Sequence, residues 1–244
     1  MTVSELLNRR RSVRSFLPTP VPQEAVLALL RAAARSPSGT NMQPWQVYVI
    51  TGGAKDALVQ DVLSKRELEP HREKPPKPYG EYDYNPEPLF EPFLTRRRTV
   101  GFGLYQLLGV AKGDRAASWI MAGRNFEFFG APVGLIFTID RALQQGSWLD
   151  YGIFLQSVML GAEDVGLGTC AQAAWRHYHD IIRVHLALPD NEIVVCGMSL
   201  GYADKDAIAN RLVSEREPVE RFAKFIGFPD AETVPAAECN HAAL

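Results

Sequence analysis

Residues 148–165 constrain the fold of this chain more than any other stretch, because apolar side chains fall on nearly every face of a helical repeat there. Few charged residues orient the stretch toward water, and its apolar members include Ile153, Phe154, Leu155, Val158, Met159, Leu160 and Ala162. A helix that is apolar all round is stable only when other protein surfaces cover it. No part of the chain approaches the roughly 18 uncharged apolar residues of a membrane span. We therefore predict a buried helix in a protein that does not enter a membrane.

Strand and helix patterns alternate on both sides of this stretch. Runs of β-branched and aromatic residues predict strands at residues 45–51, 133–140 and 193–202, with a short extended stretch at 169–174. Apolar residues at helical spacing predict a further set of helices, one of which begins near Ala54. The other predicted helices span residues 4–10, 22–35, 93–110, 114–129 and 175–186.

Residues 68–92 (LEPHREKPPKPYGEYDYNPEPLFEP) contain a density of proline that excludes both a helix and a central strand. Both flanks of this proline-rich excursion return to the same alternating pattern, which favours a lid, a binding loop or a subunit arm within one domain. A loosely held insertion is the alternative. We predict a single domain over residues 1–244, with this excursion and a C-terminal arm at about residues 211–244.

The charge balance narrows the possible partners. The chain has 26 Lys and Arg residues against 28 Asp and Glu residues, a formal net charge of −2. It therefore lacks the basic field of nucleic-acid binders, and we expect no nucleic-acid partner. Its 46% hydrophobic and 22% charged residues are typical of a soluble globular protein. The basic start MTVSELLNRRRSVRSF lacks the apolar core of a signal peptide.

Cysteine and histidine positions indicate neither disulfides nor a metal site. Three scattered cysteines, Cys170, Cys196 and Cys239, are too few for a disulfide framework or a zinc cluster, which fits the reducing cytoplasm. The predicted helix at residues 175–186 carries His177, His179 and His185. Positions 177 and 179 of a helix point to different faces, and no acidic residue stands at metal-ligand spacing, so we predict no metal.

Two short motifs match known site patterns in the wrong context. Residues 166–171 (GLGTCA) fit the dinucleotide fingerprint, but a helix precedes them and a strand follows, the reverse of the order that brings a helix N-terminus to a pyrophosphate. Residues 197–201 (GMSLG) fit a nucleophile elbow around Ser199, but a loop follows and His241 is the only histidine downstream. We favour a strand whose small residues let another backbone approach, and a serine hydrolase remains the second class of function.

Residues 9–14 (RRRSVR) place four guanidinium groups and a hydroxyl within six positions. Guanidinium groups bind phosphates and electron-rich carbonyls in a planar geometry, and a serine adds a directional contact. A solvated charge run is the alternative interpretation. Val13 and Phe16 indicate instead that some side chains of the segment turn inward, where a buried arginine needs an anionic partner.

Several sequence blocks in a fixed order resemble a known family. They are RRSVRSF at residues 10–16, PVP at 20–22, SPSGTNMQPW at 36–45, RNFEFFGAPVGLIFT at 124–138, GAEDVGLGTC at 161–170, and GYAD with SEREPVERF between 201 and 222. Together they cover nearly the whole chain, and the proline-rich excursion is its least typical part. The chain resembles the FMN-dependent nitroreductases, which use NADH or NADPH as reductant, and is most similar to their nitrobenzoate-reductase-like branch.

The resemblance implies which residues hold the FMN phosphate and the polar side of the flavin. Arg10, Arg11 and Ser12 match the family segment directed to the phosphate and ribityl chain, and Arg14 matches its contact to the pyrimidine side. Arg216, in the pattern Arg-Glu-Pro, matches the late arginine that closes on the phosphate.

A second implied contact comes from the partner subunit. Pro37, Ser38 and Gly39 match a loop that reaches the flavin across the dimer interface, and Asn41 and Gln43 lie beside it. The resemblance therefore makes the site a property of a homodimer.

A third set lies behind the isoalloxazine ring. Ala171, Gln172, Ala173 and Ala174 align with the family strand whose backbone N–H, near Ala173, faces flavin N5, and Asn125 matches a contact to the ring. The family often has a hydroxyl or carboxylate near this position, so the alanine here carries over no side-chain role.

The implied reaction has two steps. NAD(P)H passes hydride to flavin N5 and leaves, and an electron-poor acceptor such as a nitroaromatic or a quinone is then reduced in the same place, with ping-pong kinetics. The protein orients the ring and stabilises negative charge on the reduced flavin, for which Arg14 and the backbone of Ala173 are the catalytic candidates. A serine hydrolase through Ser199 and a flavin-binding protein without nicotinamide turnover remain the alternatives.

The family fold is α+β, with a mostly antiparallel central sheet wrapped by helices, in an intertwined homodimer that exchanges C-terminal arms. The apolar helix at residues 148–165 suits a dimer interface, and a polar tail suits an arm. We expect the proline-rich excursion to lie over the flavin and shape the acceptor site through Tyr79, Tyr82, Tyr84 and Phe90.

Overall fold

A four-stranded antiparallel sheet stands at the centre of the computed structural model, which describes residues 1–69 and 80–228. Its strands are β1 (Gln46–Thr51), β2 (Val133–Asp140), β3 (Gly168–Gln172) and β4 (Glu192–Gly201), in the spatial order β1-β2-β4-β3. The two central strands, β2 and β4, are buried along almost their whole length, as their β-branched and aromatic residues predict. The α+β class with a mostly antiparallel sheet is confirmed.

Seven α-helices surround the sheet in the described part of the chain. They are α1 (Val3–Arg9), α2 (Gln23–Ala33), α3 (Gly52–Leu68), α4 (Phe93–Leu107), α5 (Arg115–Gly123), α6 (Gln145–Asp164) and α7 (His179–His185). Local capping explains two of the starts, because Thr2 and Glu5 form a capping box on α1 and Asp114 accepts from Ala117 N on α5. None of the helices at these positions is long and apolar enough to cross a membrane.

The predicted helices at residues 114–129 and 175–186 are shorter than expected. The first ends at Gly123 and continues as a 3₁₀ helix (Arg124–Gly130), in which Phe128 and Phe129 adopt left-handed φ angles of 49° and 54°. The second is a 3₁₀ helix (Ala173–Tyr178) followed by α7. In both places the chain changes direction to bury aromatic rings, a tertiary demand that helical periodicity does not report.

Alternating side chains of the sheet form two cores. Leu135, Phe137 and Met198 face α2 and α6, while Ile136 faces the opposite core that contains Trp175. The rings of Trp175 and Phe128 stack there, with centroids 4.3 Å apart.

Helix α6 buries one face, whereas its sequence predicts burial all round. Tyr151, Phe154 and Val158 are at most 2% exposed, but Leu149 is 73% and Ile153 is 40% exposed. A single chain therefore leaves part of this apolar helix exposed.

Gly197 and Gly201 leave room for the side chains of other residues, whereas the sequence predicts that another backbone approaches them. A Cβ atom on Gly197 would lie 2.2 Å from Trp175 Cδ1, and one on Gly201 would lie 2.6 Å from Pro132 Cδ. The G-x-S-x-G match therefore reflects close packing of β4 against an indole and a proline ring.

The chain divides into two compact units after Leu212. In the second, which begins at Val213, a 3₁₀ helix (Val219–Arg221) and an edge-to-face pair of Phe225 and Phe228 are described. The part of the predicted arm at residues 229–244 lies outside the described residues. So do residues 70–79 of the excursion, including Tyr79, while residues 80–92 form neither helix nor strand.

Candidate active site

The basic segment runs along the free side of β3. Ser12 forms a parallel bridge with Thr169, Val13 N donates to Thr169 O at 2.9 Å, and both Val13 and Phe16 are buried. The prediction that Val13 and Phe16 turn inward is therefore confirmed. Gly168 permits this approach, since a Cβ there would lie 2.7 Å from Val13 Cγ2.

A cavity of about 550 Å³ opens beside this segment. Its lining includes Arg14, Asn125, Cys170 and Ala171, of which all but Cys170 are predicted site residues. Apolar side chains from α4, α5 and the chain after β4 complete the wall, including Leu104, Leu108, Met121 and Ile208. A volume in this range accommodates a ring system of cofactor size.

Positive charge and hydrogen-bond donors gather around the thiol of Cys170. Burial raises the pKa of Cys170, and Arg14, the hydroxyl of Ser12 and Arg10 oppose that shift because they stabilise the thiolate. Arg10, Ser12 and Arg14 therefore all act on one thiol that lines the cavity. Arg11 is exposed.

Asn210 holds the backbone of Arg14 in place, a role that the sequence does not reveal. Its Oδ1 accepts from Arg14 N at 2.6 Å, and its Nδ2 donates to Ser15 O and to Asp204 O, each at 2.8 Å. The neighbours Ala207, Ile208 and Ala209 line the cavity. No local signal could have found this residue, because Asn210 and Arg14 are 196 positions apart.

The strand behind the cavity presents small side chains outward and its polar side chain inward. Ala171 is exposed, whereas Gln172 is 2% exposed. Gln172 Nε2 donates to Asn125 O at 2.6 Å, and Gln172 Oε1 accepts from Ser199 Oγ at 2.8 Å. The side chain of Gln172 therefore supports the position of Asn125 from the interior.

The same network overturns the hydrolase alternative. Ser199 is 0% exposed in the middle of β4, and its hydroxyl proton is directed to Gln172. A nucleophilic serine needs an exposed hydroxyl bonded to a base, so Ser199 is a structural residue.

A second cavity, of about 640 Å³, lies on the α6 side of β3. Ala171 lines both cavities, and Ala173 lines the second together with Tyr82, Tyr84 and Trp148. Burial raises the pKa of Tyr82, whose hydroxyl donates to Val195 O at 2.6 Å, so this phenol keeps its proton. Ala174 packs against the core on the other side of the sheet.

The loop at residues 37–43 lines neither of these two cavities. Gly39 N donates to Asp150 Oδ2 at 3.0 Å, which places the loop at the start of α6, and Ser38 Oγ accepts from Gln43 N at 3.0 Å. Left-handed φ angles of 60° at Asn41 and 49° at Gln43 shape a tight turn. Pro37 is exposed.

Arg216 belongs to the second unit. Its Nη1 donates to Ser214 O at 3.1 Å, Ser214 Oγ at 2.8 Å and Glu215 O at 2.8 Å, which are contacts within its own segment.

The histidines have separate environments. His185 Nε2 lies 2.7 Å from Asp61 Oδ2, and His179 Nδ1 lies 3.8 Å from Glu81 Oε2. Burial, followed by the charge of Arg176, lowers the pKa of His177 to about 4. Across residues 1–69 and 80–228, no group of three or more His, Cys, Asp or Glu side chains could hold a metal ion.

Comparison with known proteins agrees with this arrangement. The Nitroreductase family matches residues 7–202. The chain belongs to the nitroreductase family. Among its relatives, the chloronitrobenzene nitroreductase of Comamonas testosteroni is 41% identical over 224 residues, 92% of this chain and 96% of that protein. The 4-nitrobenzoate reductase of Pseudomonas putida is 42% identical over 219 residues, 90% of this chain and 93% of that protein.

A solved structure of the same family shares the whole fold. The FMN and NADPH-dependent nitroreductase NfnB from sphigopyxis sp. strain HMH has a TM-score of 0.85 and 36% identity, covering 93% of this chain and 100% of that chain. The resemblance read from the sequence blocks, including the nitrobenzoate-reductase-like branch, is therefore confirmed for this nitroreductase-family chain.

Proposed function

We propose that the chain is an FMN-dependent oxidoreductase that passes hydride from NADH or NADPH to a nitroaromatic or a quinone. The observation that carries the proposal is the cavity that Arg14, Asn125 and the exposed, small side chain of Ala171 line together. Relatives named for nitrobenzene, chloronitrobenzene and nitrobenzoate reduction support the nitroaromatic class.

The residues around the cavity fit FMN. Arg14 lines the cavity, and Arg10, Ser12 and Arg14 all act on the thiol of Cys170 in its wall, so donors for a phosphomonoester and a polar ring edge are near. Ala171 leaves the strand open to a flat ring, and Asn125 adds an amide to the wall of the same cavity. We assign Arg10, Arg11 and Ser12, with Arg216, to the phosphate and ribityl side, and Arg14, Asn125 and residues 171–174 to the ring.

When bound, FMN supplies reversible hydride transfer between NAD(P)H and the acceptor, and the protein supplies orientation and charge. Arg14 would place its positive charge beside the pyrimidine side of the bound ring, and Asn210 holds the backbone of Arg14 in place. The backbone N–H near Ala173 is positioned by the turn from β3 into the 3₁₀ helix (Ala173–Tyr178). The apolar side chains of α4 and α5 exclude water from the cavity.

We also propose that the active form is a homodimer in the cytoplasm, built from one nitroreductase-like domain per chain. The open face of α6, with Leu149 and Ile153 exposed, supplies an apolar surface for a second copy. The loop at residues 37–43 lies at the start of that helix, in keeping with a contact to the partner's flavin. The C-terminal arm, about residues 211–244, is assigned to exchange with the partner.

An absorption spectrum tests the function first. The purified protein is expected to show flavin bands between about 350 and 500 nm that bleach on anaerobic addition of NADH or NADPH and return on addition of nitrobenzene. The variant Arg14→Gln should bind FMN more weakly. Bands that NAD(P)H leaves unchanged would indicate a flavin-binding protein without turnover, and a chain that binds no added FMN would refute the proposal.

A further inference from the structure

A β-bulge in β4 connects the second cavity to the proline-rich excursion. Phe137 pairs with Cys196 and Thr138 with Val194, so Val195 faces no residue of β2. Two backbone groups at this place bind the excursion. Val194 N donates to Glu81 Oε2 at 3.1 Å, and Val195 O accepts from Tyr82 Oη at 2.6 Å. Backbone groups that a bulge releases need other partners, and residues 81–82 provide them.

Glu81 also pairs with two arginines, each of which donates a further hydrogen bond to a backbone carbonyl next to or in β4. Its Oε1 accepts from Arg141 Nη2 and from Arg183 Nη2, each at 3.1 Å, and its side chain is only 12% exposed. Arg183 Nη2 in addition donates to Glu192 O at 2.6 Å, and Arg141 Nε donates to Asp190 O at 2.7 Å. Two charge-assisted bonds in a largely buried place make Glu81 a strong attachment point.

Trp148 and Arg176 contact the tyrosine rings that follow Glu81. Tyr82 packs on Trp148 with centroids 4.6 Å apart, and the guanidinium carbon of Arg176 lies 5.3 Å from the Tyr82 ring and 5.5 Å from the Tyr84 ring. Arg176 Nη1 donates to Tyr82 O at 2.9 Å. A Cβ on Gly80 would lie 2.7 Å from Arg176 O, so glycine permits this close approach.

We propose that Glu81 is a positioning residue, which docks residues 81–84 on the bulge and thereby fixes Tyr82 and Tyr84 as the wall against which an aromatic acceptor packs. Electron-rich phenol rings favour a flat, electron-poor partner in an offset or edge-to-face arrangement. This inference rests on the proposed function, because it assigns the second cavity to the acceptor of that reaction.

Acceptor kinetics distinguish positioning from general support of the fold. In a ping-pong reaction kcat/KM for the acceptor reports the oxidative half-reaction alone, so nitrobenzene can be compared with ferricyanide, which needs no aromatic wall. Glu81→Ala and Tyr84→Ala should each lower kcat/KM for nitrobenzene about threefold to tenfold, with ferricyanide unchanged. Glu81→Gln keeps an acceptor for Val194 N and should lose less. The control is Asp180→Asn on α7, which removes a carboxylate that lies 2.6 Å from Lys65 Nζ. This variant should leave kcat/KM unchanged for both acceptors.

Amide exchange tests the docking apart from activity. The Val194 amide should exchange faster in Glu81→Ala than in the wild type and in Asp180→Asn. Unchanged exchange overturns the docking whether or not the protein reduces nitroaromatics. An equal fall for both acceptors, or an unchanged ratio between them, overturns the positioning role. If NAD(P)H does not reduce the flavin but the exchange of the Val194 amide is altered in Glu81→Ala, the proposed function is refuted. The assignment of the wall to an acceptor is then refuted with it.

Discussion

Replacing Gly197 by alanine should destabilise the protein strongly. The added Cβ would lie 2.2 Å from Cδ1, 2.8 Å from Cγ and 2.9 Å from Nε1 of Trp175. Carbon atoms normally approach to about 3.5 Å, so the indole or the strand has to shift by about 1 Å. Trp175 is 0% exposed and lies between the rings of Phe128 and Phe126, at 4.3 Å and 5.6 Å between centroids.

Neither side can yield without loss of packing, because β4 is bonded to a strand on each side. Overpacking of this kind lowers the free energy of unfolding by about 1–3 kcal/mol. We expect about 3 kcal/mol for Gly197→Ala, because one side of the clash is backbone. For a chain of this size that corresponds to a fall in Tm of about 6–12 °C. Because Trp175 follows residues 171–174 directly, FMN affinity should fall as well.

Urea and thermal unfolding followed by circular dichroism measure the effect. Gly53→Ala is the matched control, since nothing lies within 4 Å of a Cβ at that helical position, and it should leave stability unchanged or slightly higher. A double-mutant cycle with Trp175→Leu should show coupling, because the smaller side chain leaves room for the new methyl group. A loss below about 1 kcal/mol in Gly197→Ala would refute the reasoning that rigid packing fixes this glycine.

Three further changes probe the network around the site. Ser199→Ala should lower the free energy of unfolding by about 1–2 kcal/mol, since Gln172 Oε1 loses its donor, yet leave flavin reduction per folded molecule intact; loss of an esterase activity instead would restore the hydrolase alternative. Asn210→Ala should weaken FMN binding, measured by flavin fluorescence titration, because the backbone of Arg14 loses its acceptor; unchanged affinity would contradict that role. The pKa of His177, about 4 against an ordinary 6.5, means that the unfolded state takes up the proton first, so stability should fall as the pH drops from 6.5 toward 4, and His177→Gln should flatten urea midpoints over that range.

Periodicity in the sequence predicts the elements that local patterns determine. The sequence predicts a strand at residues 133–140, the bounds that the structure has, because a run of β-branched and aromatic residues follows the break at residues 130–132. The ring of the left-handed Phe128 stacks on Trp175 and lies against Gly134, on which a Cβ would lie 2.6 Å from Phe128 Cζ. Such conformations depend on partners that are distant in sequence, so local propensity misses them.

The candidate site likewise contains residues that the sequence reveals and residues that depend on distant partners. The arginine and serine cluster and the small residues at 171–174 stand out in the sequence by composition and by the family blocks. The Asn210 clamp and the attachment of Glu81 to Arg141, Arg183 and Val194 do not, because each joins residues between 60 and 196 positions apart.

The attachment of the basic segment has a consequence for the order in which a newly made chain assembles. Val13 N donates to Thr169 O, Leu17 N to Tyr202 O, and Arg14 N to Asn210 Oδ1, so this segment cannot form its contacts until residues 169–210 have been made. Contacts of such sequence separation close slowly, because a long loop must be ordered first. The part of the cofactor pocket around Arg14 therefore forms only after residue 210 has been made.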